Sequence, residues 1–219
     1  MHIGIIMDGN RRWAKNRSLN ATAGHSEGAK TLENIVEVAF KKGINELTVY
    51  ALSTENYKGR SKTEIDFLLG FGEKFAKEKK QTFVEREIVV KFLGNISELP
   101  KNTQIWMQEL EKATDTFNKF KLNVCVNYGG REEIIRAINL AKESNEDITE
   151  ESFSKYLDLQ TQPQLIIRTG GHHRLSNFLI WQACYSELYF IDTLWPDFNE
   201  IELTTALDFY KQQQRNFGK

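Results

Sequence analysis

The sequence predicts an α/β fold: a single domain with a six-stranded, mostly parallel sheet flanked by helices. Short β-branched apolar runs alternate with segments of helical period, the pattern of strand–helix–strand units. The chain has 219 residues, about the length of one domain, and carries no internal repeat or low-complexity linker. Its three prolines, Pro100, Pro163 and Pro196, fall at element edges and mark no domain boundary.

The elements follow in order. Ile3-Gly4-Ile5-Ile6-Met7 reads as a buried strand. Leu32, Ile35, Val36, Ala39 and Phe40 share one helix face, and Gly43 stands where a C-cap belongs. Leu47 to Leu52 is a second strand. Residues 62–86 form a long charged amphipathic helix with Ile65, Phe67, Leu68, Leu69 and Phe75, and Gly70 and Gly72 are placed to bend it. Ile88 to Leu93 is the third strand, and Ile105, Trp106 and Leu110 mark the next helix. Leu122 to Val126 is the fourth strand, followed by Gly129-Gly130 and a helix with Ile134, Ile135 and Ile138. Leu165 to Ile167 and Leu188 to Ile191 are the fifth and sixth strands, and the last helix spans 199–215.

Composition narrows the function. Lys+Arg is 29 and Asp+Glu is 30, a net charge of -1, which argues against a nucleic-acid binder working through a basic surface. The 2 cysteines, Cys125 and Cys184, lie in apolar runs, so a disulfide framework or four-thiolate zinc site is not expected and a cytoplasmic location is. No apolar run approaches the roughly 18 residues of a membrane span. Residues 1–20 lack a signal peptide's apolar stretch, being interrupted by Asp8, Arg11, Arg12 and Lys15. A peripheral contact with a membrane stays open.

In a parallel sheet, ligands bind at the carboxyl ends of strands. Three loops there are rich in chemistry: Asp8-Gly9-Asn10-Arg11-Arg12-Trp13, Ser53-Thr54-Glu55-Asn56-Tyr57-Lys58, and Arg168 to Asn177. Asp8-Gly9-Asn10 opens a helix, whose first N–H groups suit a phosphate that Arg12 can also bind. Asp8 would repel a bare phosphate, which suggests Mg²⁺ between them. The plain alternative makes Asp8 a helix N-cap. Arg168 and Arg174 flank Gly170-Gly171 with Ser176 beyond, a set matching a diphosphate or, equally, a solvated glycine turn. One of the adjacent His172 and His173 suits a divalent metal, against a surface histidine as the default. Glu187, beside an apolar strand, reads as paired or functional. His25 either caps a helix or joins the site. P-loop, dinucleotide, nucleophile-elbow and zincin motifs are absent.

The stretches HIGIIMDGNRRWAK (2–15), GHSEGAK (24–30), LTVYALSTENYK (47–58), LNVCVNYGGREEIIRA (122–137) and RTGGHHRLSNFLIWQACYSELYFIDTLWPDF (168–198) together resemble the cis-prenyltransferase family. The resemblance implies a homodimer, an active site at the mouth of an apolar tunnel, and condensation of isopentenyl diphosphate with an allylic diphosphate, usually farnesyl diphosphate. The product would be a cis-polyprenyl diphosphate such as the undecaprenyl diphosphate lipid carrier for cell-wall synthesis. By matching position, Asp8 and Asn56 are catalytic, Asn56 in proton removal. Gly9, Asn10, Arg11, Arg12, Trp13 and His25 cradle the allylic diphosphate. Ser53, Thr54, Glu55 and Tyr57 belong to a mobile segment over the substrates. Arg168, Arg174, Leu175 and Ser176 bind isopentenyl diphosphate, while Asp8, His173 and Glu187 hold Mg²⁺. The tail, 199–219, is expected on the dimer partner.

The chain departs from the family pattern at Ala21, Gly59 and Asn216, which remove or displace arginines that bind phosphate, and at His172, where many members have glutamate. Arg60, displaced by one residue, and Arg11 and Arg17 are candidates to compensate. The alternatives are a short-chain or branched-product synthase on the same fold, or a non-catalytic partner subunit. Retention of Asp8, Glu55, Asn56, Arg168, Arg174, Ser176 and Glu187 argues against the last.

Overall fold

A computed structural model describes residues 1–144 and 146–214. Six strands form one sheet: β1 (His2–Ile6), β2 (Glu46–Ser53), β3 (Ile88–Leu93), β4 (Phe120–Tyr128), β5 (Leu165–Arg168) and β6 (Glu187–Phe190). Their spatial order is β3-β4-β2-β1-β5-β6, and every pairing is parallel. The helices are α1 (Asn10–Asn16), α2 (Ala21–Lys41), α3 (Thr54–Gly59), α4 (Lys62–Glu85), α5 (Lys101–Thr114), α6 (Gly130–Lys142), α7 (Glu150–Ser154) and α8 (Glu200–Gln212).

Both sheet faces are covered, which is why the strands read as continuous apolar runs instead of alternating ones. Ile3 and Ile5 of β1 join the larger core, built with Ile35, Leu69, Trp106 and Leu203 from α2, α4, α5 and α8. Ile6 faces the smaller core with Tyr50, Cys125, Ile166 and Phe178. A Cβ on Gly4 would meet the Phe178 ring at 3.1 Å, so the glycine admits that ring against the sheet.

Several expectations needed correction. Residues 54–59 are helical, and Asp8 does not cap α1. The N-cap is Gly9, at φ 119° without a side-chain bond, and a Cβ there would lie 2.9 Å from Leu194. α4 runs unbroken through Gly70 and Gly72, and Gly72 gives the Trp106 ring room, 3.7 Å from where a Cβ would stand. Ile135 and Ile138 of α6 are exposed, as is Ile105. α8 buries Leu203, Ala206 and Leu207 in its own chain's core, and Phe209 meets Tyr189 of β6 at 5.2 Å between ring centroids. α8 therefore buries one face in its own chain, while Ile201 on another face is exposed. Asn216 and its neighbours from 215 onward lie outside the described residues.

Strand order places the site. After β1 the chain moves toward β2, whereas β5 hands on to β6 on the opposite side. The loops after β1 and β5 thus diverge and leave a crevice at their carboxyl ends.

Candidate active site

Asp8 stands just beyond β1 with its backbone tied down. Its N–H donates to Thr169 Oγ1 at 3.0 Å, and its carbonyl accepts from Thr169 Oγ1 at 2.7 Å and Trp195 N at 3.0 Å. Its carboxylate is clamped between two arginines: Arg12 Nη2 at 3.1 Å from Oδ1, and Arg168 Nη2 at 2.9 Å from Oδ2. Arg168, the last residue of β5, also donates from Nη1 to Ser176 Oγ at 2.7 Å and to the Arg174 carbonyl at 2.5 Å. Gly170, at φ 82°, makes room for this, because a Cβ would meet Arg12 Nη2 at 2.5 Å.

The α1–α2 contact explains the glycines of the 24–30 stretch. A Cβ on Gly24 would lie 2.0 Å from the Asn10 carbonyl oxygen, and one on Gly28 would lie 2.4 Å from Asn10 Oδ1. Trp195 Nε1 donates to the Gly28 carbonyl at 2.7 Å. The two glycines therefore bring α2 against the start of α1 and set His25 beside Asn10 and Arg11.

Opposite, Ser53 caps α3 by accepting from Asn56 N at 3.1 Å. Glu55 accepts from Asn177 Nδ2 at 2.8 Å. Burial works against its ionisation, but bonds from its own backbone, Asn177 and Ser53 hold its carboxyl below the ordinary value. Asn177 also accepts from Arg131 N at 2.9 Å through Oδ1. Asn177 and its neighbour Ser176 adopt left-handed backbone, φ 67° and 51°, which turns the loop back over the strand ends.

Eleven predicted residues meet in one polar mouth of about 820 Å³: Asp8, Gly9, Asn10, Arg11, Arg12, His25, Ser53, Glu55, Asn56, Arg168 and Ser176. Arg60 lines it too. Burial lowers the His25 pKa to about 4, aided by Arg60 and Arg11 and opposed by Glu64. Burial, with Glu55 nearby, raises the Tyr50 hydroxyl at the mouth floor.

Other predicted residues sit elsewhere. Trp13 donates to Asp197 Oδ1 at 2.7 Å, with the Arg17 guanidinium 4.2 Å over its ring, so neither lines the mouth. Tyr57 OH turns to the Glu98 carbonyl at 3.3 Å. Arg174 contributes its carbonyl, and Leu175 packs on the smaller core. Thr54 Oγ1 is buried behind the mouth. His172 and His173 are in a loop, where His173 stacks on Phe190 at 5.0 Å. Glu187 opens β6, in register with Leu165 and hence at the sheet end remote from Asp8. A single chain therefore does not gather Asp8, His173 and Glu187, and among the described residues no three His, Cys, Asp or Glu side chains cluster for a metal. Thr169 and Asn177 were missed as site residues. Both stand in the loop that the glycine pair had already marked.

Beneath the mouth lies an apolar cavity of about 180 Å³. It shares Met7, Asn10, His25 and Ala51 with the mouth and continues to Leu68, Phe71, Phe92 and Trp106. Arginines at a strand-end crevice, one clamped aspartate and a greasy space below have the chemistry of an enzyme site suited to phosphorylated apolar molecules. The comparisons narrow it. The prenyltransferase family described as "Putative undecaprenyl diphosphate synthase" matches residues 6–218, and the chain belongs to that family. An isoprenyl transferase of Fusobacterium nucleatum is 45% identical over 99% of this chain and 95% of its own. The crystal structure of lavandulyl diphosphate synthase from Lavandula x intermedia, in complex with dimethylallyl diphosphate, superposes with TM-score 0.94 at 35% identity, covering 100% and 98% of the two chains. A Campylobacter jejuni structure described as a probable undecaprenyl diphosphate synthase gives TM-score 0.87 at 32% identity, also over 100% and 98%. Among the described residues no helix is long and apolar enough to cross a membrane.

Proposed function

We propose that this prenyltransferase condenses isopentenyl diphosphate with an allylic diphosphate, farnesyl diphosphate in the first instance, to make a cis-polyprenyl diphosphate such as the undecaprenyl carrier of cell-wall synthesis. The observation that carries the reading is the junction at Met7, Asn10, His25 and Ala51, where the arginine-lined mouth opens onto the apolar cavity. A diphosphate held above drops its hydrocarbon tail into a space that excludes water.

Arg11, Arg12 and the first N–H groups of α1 take the allylic diphosphate. Arg168 and Ser176 hold the second diphosphate, which makes carbon–carbon bond formation effectively intramolecular. Asn56, a neutral amide, orients the proton that leaves, and a diphosphate oxygen or Asp8 accepts it. Asn56→Ala retaining full turnover would remove that role. The donor set fits Mg²⁺, a hard cation held by one or two carboxylates plus substrate phosphates, because Asp8 and Glu55 both line the mouth. Bound there, Mg²⁺ would stabilise charge on the departing diphosphate.

Two further parts belong to the proposal. The first is a homodimer through the β6 edge, supported by exposed Leu188 on that strand. The second is work at the cytoplasmic face of a membrane, reached through the lipid product. A short-chain or branched product is the second reading. It is favoured by the match to lavandulyl diphosphate synthase with a five-carbon allylic diphosphate. It is favoured also by the cavity's 180 Å³, near the roughly 150 Å³ that accommodates a benzene.

Purified protein incubated with Mg²⁺, labelled isopentenyl diphosphate and dimethylallyl, geranyl or farnesyl diphosphate tests both. Long cis products from farnesyl diphosphate support the first reading, and ten-carbon products from dimethylallyl diphosphate the second. No incorporation with any primer overturns both.

A further inference from the structure

We propose that Glu64 is a positioning residue for the allylic side of the mouth, holding Arg60 before a diphosphate binds and passing to His25 when the diphosphate draws Arg60 away. This rests on the reading of the mouth as a diphosphate site.

An acid beside a mouth that recruits anions calls for a physical reason, since it repels the ligand. Glu64 is fixed in the first turn of α4 through its backbone, its N–H donating to the capping Ser61 Oγ at 3.3 Å. Its side chain reaches back toward the mouth. Glu64 Oε1 lies 3.1 Å from Arg60 Nη1 and 3.9 Å from His25 Nε2. Glu64 Oε1 and His25 Nε2 are both buried without a hydrogen-bond partner, so the Arg60 contact is an ion pair lacking an aligned bond. A carboxylate oxygen and an imidazole nitrogen that donates once the ring is protonated, both without partners, thus face each other at 3.9 Å, a gap that a small side-chain rotation closes.

The charges around His25 favour such an exchange. Arg11 faces it from α1, Arg60 from the α3–α4 link and Glu64 from α4. Burial and the two arginines keep the imidazole neutral, its pKa lowered to about 4. A diphosphate that engages Arg11 and Arg60 cancels the two cations that depress His25. Glu64, released from Arg60, is then the one carboxylate among the described residues that pairs with Nε2, at 3.9 Å. Its charge is compensated at each stage: by Arg60 before binding, and by the imidazole after it. The clash with an incoming anion is thereby removed.

Titration of His25 by imidazole NMR in the full-length protein, with and without inorganic pyrophosphate, tests the exchange. In the wild type, pyrophosphate is expected to raise the His25 pKa by about one unit or more. Glu64→Gln keeps the side-chain shape and the backbone bond to Ser61. That variant should still bind pyrophosphate while the His25 shift falls to less than half. In Glu64→Gln, His25→Gln and the double variant, effects on pyrophosphate affinity should be non-additive by about threefold or more. Equal His25 shifts in wild type and Glu64→Gln, or additive effects, overturn the role of Glu64 and leave the diphosphate site standing. Failure of the wild type to bind pyrophosphate overturns both.

Discussion

Asp8 Oδ2 accepts a hydrogen bond from Arg168 Nη2 at 2.9 Å, joining the ends of β1 and β5 across 160 positions of sequence. The guanidinium is almost wholly buried, 5% exposed, whereas the carboxylate is 27% exposed and faces the mouth. One side chain thus balances a buried cation and presents a hard oxygen to substrate.

Asp8→Ala should reduce prenyl transfer by about 10²-fold or more, the scale for removing a group that stabilises developing charge. It also strands Arg168 without its carboxylate, which should destabilise the fold by about 3 kcal/mol. Initial rates with labelled isopentenyl diphosphate and urea unfolding read the two effects separately. Unchanged rates would place the chemistry elsewhere.

Gly28→Ala drives a methyl to within 2.4 Å of Asn10 Oδ1. Separation of α1 from α2 should cost about 1–3 kcal/mol and raise the KM for the allylic diphosphate, because α1 carries Arg11 and Arg12. For a chain of this size the cost appears as a Tm loss of about 2–4 °C per kcal/mol. Calorimetry and steady-state kinetics check both.

His2, at the sheet end remote from the mouth, bonds Thr48 Oγ1 at 2.8 Å through Nε2, and burial lowers its pKa from 6.5 to about 4. Between those values the unfolded chain binds the proton and the folded one does not. The stability is therefore fully present above pH 6.5 and is lost progressively as pH falls toward 4, by on the order of 3 kcal/mol. Urea midpoints at pH 7.5 and 5 should differ in the wild type and differ by less in His2→Gln, the remaining difference being carried by His25, whose pKa burial lowers likewise. Parallel curves would show that His2 is not the sensor.

Trp106 walls the apolar cavity and stands edge-on to Phe92 at 5.3 Å. Trp106→Ala should deepen the cavity and lengthen the products seen by chromatography, at a stability cost of about 3–5 kcal/mol. Trp106→Leu, which leaves a smaller void, should lengthen them less. Unchanged product length in both would show that the growing chain does not reach this wall.

Much of this was legible before any coordinates. Periodicity placed all six strands to within two residues, because a doubly covered sheet demands unbroken β-branched runs. The polar loops after β1, β2 and β5 stood out because hydrophilic residues after such runs have no structural need to be there. Trp13 and Tyr57 lie in α1 and α3 beside the mouth, and position in such a segment does not say where a side chain turns. Trp13 went to Asp197 and Tyr57 to the Glu98 carbonyl. Arg60 was ambiguous for the same reason, and only the Ser61 cap and the Glu64 pair put it at the mouth.

By itself, the order of residues determined the alternation of strands and helices, the apolar interior, and which strand ends carry charge, for these depend on neighbours a few positions apart. Tertiary structure alone decided that Asp8 meets Arg168, that Gly28 yields to Asn10, and that Glu187 stands far from both. Those outcomes depend on strand order and on contacts between different elements, 160 positions apart for Asp8 and Arg168, where each atom's place is set by everything packed between them.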